Sequence, residues 1–416
     1  MLRNIILIAA LLFPSINIAA PITIRSTDLK SLIESKNERV LAKKHEKDAA
    51  EYRKGYFLRS FLPKIEIYGA QESFRKGTHV RKEQAAYGAE ANINLFNGGR
   101  DMLEASKRSF TFQRKEFEKQ TILAEEIDKA RGIYWNIIYL QNLTSLLKEA
   151  RSLNDTNLKS ASRRLTSGVA TEVDRVEFEM KEIDLKREFT LAELELQNHK
   201  KILSAVLGFD PTADLKFSEE LDHEHRWEET LIHSHDEHNF LAKPKELMSE
   251  EQLLEARIKN RSYWPKLDAF AGWNQFTERE EDFVNAKDRR ESVVGLRLSM
   301  DFFDGFNSQK DASALRSEAA AISAESNYQK RELEIHIHNE LAELKLLHEQ
   351  VHEAEENIKR ASRYYSLTKS EYARGVKNSP DVLGATEKLY GMKQKHLAII
   401  RDFQIAKSHI LSKIGK

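Results

Sequence analysis

Two groups of side chains in this chain of 416 residues have the types and spacing to do chemistry. His348-Glu349-Gln350-Val351-His352 carries H-E-x-x-H spacing. On a helix that spacing puts two imidazoles on one face, with a carboxylate beside them to act as a base on metal-bound water. The second group is residues 222–238, where His223, His225, His233, His235 and His238 make five of the fourteen histidines. Imidazoles interleaved with carboxylates suit Zn, Cu or Ni. Neither group reads as an enzyme. A zinc hydrolase needs a third ligand folded back against the helix and a closed cleft. The helix around His348 instead reads as unbroken to about residue 371, with His348 in its apolar seam. The histidine tract reads as a solvated loop, at most a weak binder of metal. No cysteine is present, so thiolate sites, thiol nucleophiles and disulfides are absent. No phosphate-cradling glycine loop and no Ser/His/Asp arrangement stands out. The sequence predicts no catalytic residue, no resident metal and no cofactor.

The elements that carry these residues follow from composition and spacing. Sixty-six basic and 66 acidic side chains cancel. Zero net charge argues against nucleic acid, or a polybasic membrane surface, as a partner. An apolar fraction of 40% supports a folded core. Mean hydropathy is −0.59, and after residue 20 no run approaches the ~18 apolar residues of a spanning helix. The start is different: Met1-Leu2-Arg3-Asn4, an apolar run from Ile5 to Phe13, then Pro14 and small residues to Ala20. That pattern predicts a secretory signal over 1–20, cut within a residue or two of Pro21. Prolines fall at 14, 21, 63, 211, 244, 265 and 380, leaving 64–210 and 266–379 free for long helices.

The chain is duplicated. A shift of 207 positions aligns Phe96 with Phe303, Gly98 with Gly305, Gly168-Val169 with Gly375-Val376, Asp174 with Asp381 and Gly208 with Gly415. Upstream, Phe61-Leu62-Pro63-Lys64-Ile65 matches Tyr263-Trp264-Pro265-Lys266-Leu267 at a shift of 202. A first repeat at 21–208 and a second at 246–416 are thus predicted, joined by a His-rich linker at 209–245. Each reads as helix, strand pair, long helical hairpin. The first helix is placed at 28–58, strands at about 62–74, 85–96, 265–276 and 290–303, and long helices at 100–163, 170–207, 306–371 and 377–414. Ala85, Tyr87, Ala89, Ala91, Ile93 and Leu95 alternate with Gly88, Glu90, Asn92 and Asn94, the period of a half-buried strand. Ile337, Leu341, Leu344, Val351, Ala354, Ile358, Ala361 and Tyr365 follow a coiled-coil seam. A helix over 100–163 would extend roughly 95 Å.

Helices this long cannot fold back as a compact layer over the strands. Short strands, apolar on one face and polar on the other, with aromatics Phe61, Tyr263, Trp264, Phe96, Phe302 and Phe303 at their ends, suit an outer-membrane barrel. Four strands cannot close one. Two chains would give eight, filled by side chains; three would give twelve, leaving a conduit.

The junctions at Phe96-Asn97-Gly98 and Phe303-Asp304-Gly305 carry a family resemblance. So do the turns Arg164-Leu165-Thr166-Ser167-Gly168-Val169 and Tyr372-Ala373-Arg374-Gly375-Val376, and the run Asp381-Val382-Leu383 followed by Ala385. On these the chain resembles the outer-membrane efflux proteins, the TolC-like channel-tunnels, over residues 28–416. The resemblance implies a mainly α fold with a membrane β-barrel. It would be a homotrimer with a twelve-stranded barrel in outer-membrane lipid and a twelve-helix periplasmic tunnel, in a Gram-negative bacterium. It implies as partners a periplasmic adaptor (membrane fusion) protein and an inner-membrane RND or ABC pump, and a passive role in drug or metal efflux or type I protein secretion. A periplasmic coiled-coil adaptor or scaffold without a pore is the alternative, but it would show one helical hairpin rather than two. The resemblance also implies a gate in which Tyr372 and Lys377 hold the region of Asp174, with Asp381 as a carboxylate ring. The family often has a second aspartate three positions on; here Gly384 stands there, and Pro380 precedes Asp381. An adaptor would dock at the tips, Thr166, Ser167, Gly168 and Val169 on one hairpin and Arg374, Gly375 and Val376 on the other.

Overall fold

The structure is a computed structural model that describes residues 22–54, 57–76, 80–223, 239–280 and 287–415. The segment 1–20 expected to be a signal lies outside them. The described chain is mostly helical. In order, it runs β1 (Ile22–Ile24), α1 (Leu29–Lys36), α2 (Glu38–Lys54), β2 (Lys64–Lys76), β3 (Val80–Asn97), α3 (Arg100–Thr166) and α4 (Glu172–Val206). Then come β4 (Leu215–Phe217), α5 (Lys243–Asn260), β5 (Lys266–Glu280), β6 (Lys287–Ser299), α6 (Asn307–Ala373) and α7 (Ser379–Lys413). Both α3 and α6 have 67 residues, and α4 and α7 have 35 each. Two compact units result. One comprises Met1–Asn37, Glu126–His225 and Leu344–Ser408; the other comprises Glu38–Glu125, Arg226–Glu343 and His409–Lys416.

The second of these units holds an antiparallel sheet in the order β2-β3-β5-β6. Its register stacks Ile67, Ala89 and Trp273, and beside them Ile65, Ala91, Ala271 and Val294, on one face. Directly opposed residues share a face, so these residues form a continuous apolar patch, bordered by Ser292 opposite Trp273 and Gln275 opposite Tyr87. It is also bare: Ile67 is 83% and Val294 84% exposed. On the other face Asn92 donates to Glu90 (3.0 Å) and Tyr68 hydrogen-bonds Asn274 across the intervening Gly88. A Cβ at Gly88 would stand 2.4 Å from the Asn274 Oδ1, so a side chain there would collide with that contact. The alternation expected through Leu95 fails at its end. The β3–β5 register shifts between Asn94 and Phe96, a bulge that takes Leu95 out of the pairing. The fourth strand stops at Ser299, short of the expected 303. Alongside the sheet, α3 is held to its neighbours by charge: Lys47 meets Glu116 (3.0 Å), Lys115 meets Glu46 (2.8 Å) and Arg114 meets Glu251 (2.8 Å).

The first unit contains helix-on-helix packing. Tyr139, Leu140, Leu143, Leu147 and Ala150 of α3 pack with Leu185 and Ala192 of α4. Val351 and Ala354 of α6 pack with Ile399 and Ile400 of α7. Leu344 and Ala361 extend the buried seam of α6.

Two further features differ from the sequence-based expectation. The helix placed at 28–58 breaks at Asn37, whose backbone is extended (ψ 122°). There the Asn37 amide donates to the Glu126 carboxylate (3.0 Å) and the Val206 carbonyl (2.7 Å), all buried, contacts a continuing helix would forfeit. The linker is also partly built. β4 pairs in parallel with β1, and Leu215 and Phe217 are buried.

Gly208 ends α4 at φ +71°, and a Cβ there would lie 2.4 Å from the Lys36 carbonyl oxygen. Gly168 has a similar φ, +74°, but open space around it. Gly168→Ala should therefore lose only the left-handed strain of about 1–2 kcal/mol, whereas Gly208→Ala adds a backbone clash. Denaturant midpoints of the two variants should rank Gly208→Ala as the more damaging; equal midpoints would refute the close approach.

Candidate functional site

The two hairpin tips lie in the first unit and are built alike. At the end of α3, Val169 N–H donates to Arg164 O (2.9 Å) and Gly168 N–H to Leu165 O (3.0 Å). At the end of α6, Val376 donates to Glu371 O (3.0 Å) and Gly375 to Tyr372 O (3.0 Å), with Gly375 at φ +79°. These paired bonds close a helix through a left-handed residue, which is why glycine stands at both positions. The next helix starts with a reciprocal cap. Thr171 N–H and Oγ1 donate to the Asp174 carboxylate (2.8 and 2.9 Å), and Asp174 N–H returns to Thr171 Oγ1 (3.4 Å). In the second hairpin Asn378 N–H donates to Asp381 (3.2 Å), and Asp381 N–H to Asn378 Oδ1 (3.3 Å). Pro380 sits in the first turn of α7, where a missing N–H removes no helical bond.

Asp174 does more than cap its own helix. Its other oxygen accepts the Ser379 N–H at 3.2 Å, so one carboxylate serves the start of both α4 and α7. Partial burial pushes this carboxyl upward, but hydrogen bonds from Thr171 and Ser379 outweigh it and hold the pKa down at about 2. A second link joins the hairpins. The Arg164 guanidinium lies 4.2 Å over the Tyr372 ring and also donates to the Tyr372 carbonyl. Tyr372 is buried with Ala161, Phe178 and Val382, and its hydroxyl is 3.4 Å from Ser379 Oγ.

Within one copy, no described hydrogen bond or ion pair joins Tyr372 or Lys377 to Asp174. Tyr372 turns into the tip core, and Lys377 Nζ lies 3.5 Å from Asp381, four residues along its own chain. At a partly exposed helix tip such a pair contributes about 0–1 kcal/mol. Asp381 is accordingly engaged twice, by its cap and by Lys377. Arg164 and Ser379 are the residues sequence reasoning missed. Arg164 is visible only as part of a turn motif, and Ser379 acts through a backbone amide, which has no sequence signal. Thr166, Ser167, Gly168, Val169, Arg374, Gly375 and Val376 are all exposed; Val169 and Val376 are bare at 64% and 70%.

The histidines are placed differently from their expectation. His223 is buried, not solvated, and its ring centre lies 5.5 Å from His348 and 5.2 Å from His352. The third imidazole that the H-E-x-x-H helix was expected to lack is therefore present. It arrives because Leu221 packs onto the helical cores and draws the linker in. His225, His233, His235 and His238 lie outside the described residues.

Residues 249–416 match the family model for Outer membrane efflux protein. No curated protein matches the chain in sequence. Among solved structures, CusC, described for transmembrane channel formation, superposes with a TM-score of 0.78 at 11% identity, over 94% of this chain and 91% of its own. The outer membrane protein VceC of Vibrio cholerae gives 0.77 at 11%, over 94% and 96%. The CmeC outer membrane channel of Campylobacter jejuni gives 0.76 at 13%, over 94% and 85%. The fold is that of these channel proteins.

Asp174→Ala should remove a helix cap, at about 1 kcal/mol, and should speed amide exchange at Ser379 as well as Thr171. Asp381→Ala should leave Ser379 protected. The same carboxylate sets a pH window. An unfolded aspartate titrates near ~3.9, so the folded form's stability is complete above about pH 4 and is lost as pH falls toward 2. Ser379 protection that persists below pH 2 would contradict the assignment.

Proposed function

We propose that three copies of this chain form an export conduit in the outer membrane of a Gram-negative bacterium, open outward through a barrel and gated at the periplasmic helix tips. The observation that carries this reading is the four-stranded sheet. Its apolar face is bare, and β2 and β6 stand at its edges. In hydrocarbon every strand edge must be paired, and ring closure is the only way to pair them all. Three copies supply twelve strands, enough to leave an aqueous lumen. Among the described residues no helix is long and apolar enough to cross a membrane, so the sheet is the candidate for that task. Exposed Trp264, Phe96, Phe302 and Phe303 near the strand–helix junctions suit an interfacial belt.

The helices support the same assembly. Val173, Val176, Met180 and Ile183 of α4 are exposed at spacings of three and four, with Leu191 and Leu194 further on. Such a stripe suits knobs-into-holes packing against a neighbouring copy. Four helices from each of three repeated pairs of hairpins would form a twelve-helix tunnel, with repeats at 21–208 and 246–416.

Opening then separates α6–α7 from α3–α4 at the tips. The contacts to be broken are Arg164 on Tyr372 and Asp174 on Ser379. Both are weak, solvent-edged interactions, suited to a latch that docking can release. Asp381 on each copy would place a carboxylate ring at the mouth, tempered by Lys377. Exposed Val169 and Val376 at neighbouring turns give a periplasmic adaptor an apolar foothold, and the inner-membrane RND or ABC pump it connects would choose the cargo and supply the energy.

In planar bilayers the purified protein should form pores with low resting conductance and cation preference. Arg164→Ala combined with Asp174→Ala should raise the resting conductance, and Asp381→Asn should weaken cation preference. A protein that stays soluble without detergent and forms no pores would end the conduit reading. Unaltered conductance in the double variant would remove only the latch.

A further inference from the structure

The H-E-x-x-H run and the first histidine of the linker tract are 125 positions apart in sequence, yet they meet in one unit. We propose that His223, His348 and His352 form a binding site for a divalent borderline transition-metal ion, Zn2+ foremost, which straps the inter-repeat linker onto α6. This does not depend on the conduit reading.

The geometry lies within side-chain reach of such an ion. One ligand nitrogen from each ring lies within 4.8 Å of the others. A tetrahedral zinc with bonds of about 2.0–2.1 Å needs nitrogens roughly 3.3 Å apart. The rings must therefore close by about 1–1.5 Å, within reach of side-chain rotation alone. His348 and His352 are one helical turn apart on α6, with ring centres 5.0 Å apart. Val351 between them is fully buried and fixes the rotation of that helix. The third ligand is held just as firmly. His223 N–H donates to Asp222 Oδ1 (2.8 Å), and Gln404 of α7 donates to the Asp222 carbonyl (2.6 Å). Phe403 backs the cluster, 6.4 Å from His223 and 6.0 Å from His348.

The surrounding charges suit a cation. Three neutral imidazoles leave the ion its full charge, so nearby carboxylates matter. Asp222 lies 3.6 Å from His223 Nδ1 and Glu355 3.7 Å from His352 Nδ1. Both are placed to take the second ring N–H of a ligating histidine, the arrangement that orients imidazoles on zinc. An all-nitrogen set disfavours Mg2+ and Ca2+, which take oxygen, and admits Zn2+, Ni2+ or Cu2+. Glu349, the residue a protease would use as base, is exposed to solvent. The site is therefore one for binding and bracing.

The test uses the full chain in detergent, stripped by chelator and titrated with Zn2+, and separately with Co2+ as a spectroscopic probe. Two variants separate the site from the remaining tract. One is His348→Gln with His352→Gln; the other replaces His225, His233, His235 and His238 by Gln and keeps the triad. Melting without metal checks that both fold. Wild type and the tract variant should bind one ion per chain with similar Kd, show an intense visible cobalt band and melt higher with Zn2+. The triad variant should bind more than about 100-fold more weakly, since even loss of outer-shell partners costs 10–100-fold. Wild-type affinity in the triad variant, loss of binding in the tract variant, or no binding by wild type would each overturn the proposal.

Discussion

A helix of 67 residues leaves as many unsatisfied groups at its end as a helix of ten: four carbonyls, then four N–H groups where the next helix starts. Each hairpin must settle these groups within the few residues between its helices. Glycine at 168 and 375 deals with the carbonyls by turning left-handed. Thr171 with Asp174, and Asn378 with Asp381, deal with the amides. Without both halves of that solution the chain would fray where it reverses, and the return helices would lose the register that buries Leu185 and Ala192 against α3. The tip is thus first a structural device, and any gating is added to groups already engaged in capping.

That order explains how the two tip carboxylates are used. A carboxylate has two oxygens and about four lone pairs. Asp174 commits one oxygen to its own cap and lends the other to Ser379. Asp381, with Lys377 beside it, keeps to its own hairpin. Capping lowers the cost of ionising Asp174, as its depressed pKa records. The Asp174 link between the two hairpins therefore stays ionised across the physiological pH range.

What was legible in the sequence is what short-range physics dictates. The long helices, the glycine turns and the strand alternation from Ala85 to Ile93 all depend on neighbours a few residues away. The rest depends on distant partners. Asn37 breaks a helix because Glu126 and the Val206 carbonyl are there to meet it. β4 is too short to announce itself and exists because β1 pairs with it. Leu95 has the right residue type for its alternation, yet the bulge beside it is a property of the pairing with β5. His223 reads as one charged-loop histidine among five, because its burial is decided by Leu221 and Gln404. Mean hydropathy misleads for a related reason: four strands apolar on alternate positions are swamped by charged helices.

The places where the two repeats differ are the most informative. Their turns and caps coincide at a shift of 207, so residues serving each hairpin alone are kept in both copies. The contacts joining one hairpin to the other are not symmetric here, and there the repeats diverge. Arg164 stacks on Tyr372; the reciprocal pair would be Leu165 with Glu371, which offers no cation and no ring. Asp174 receives the Ser379 amide, whereas Asp381 is engaged within its own hairpin by Asn378 and Lys377. His348 and His352 likewise replace Gln141 and Ser145, and only the second repeat's helix meets the linker histidine. A duplicated chain whose hairpins stayed identical could close on itself only through symmetric contacts. By breaking the repeat at Arg164, Tyr372 and the histidine pair, this sequence gives its two hairpins distinct contacts.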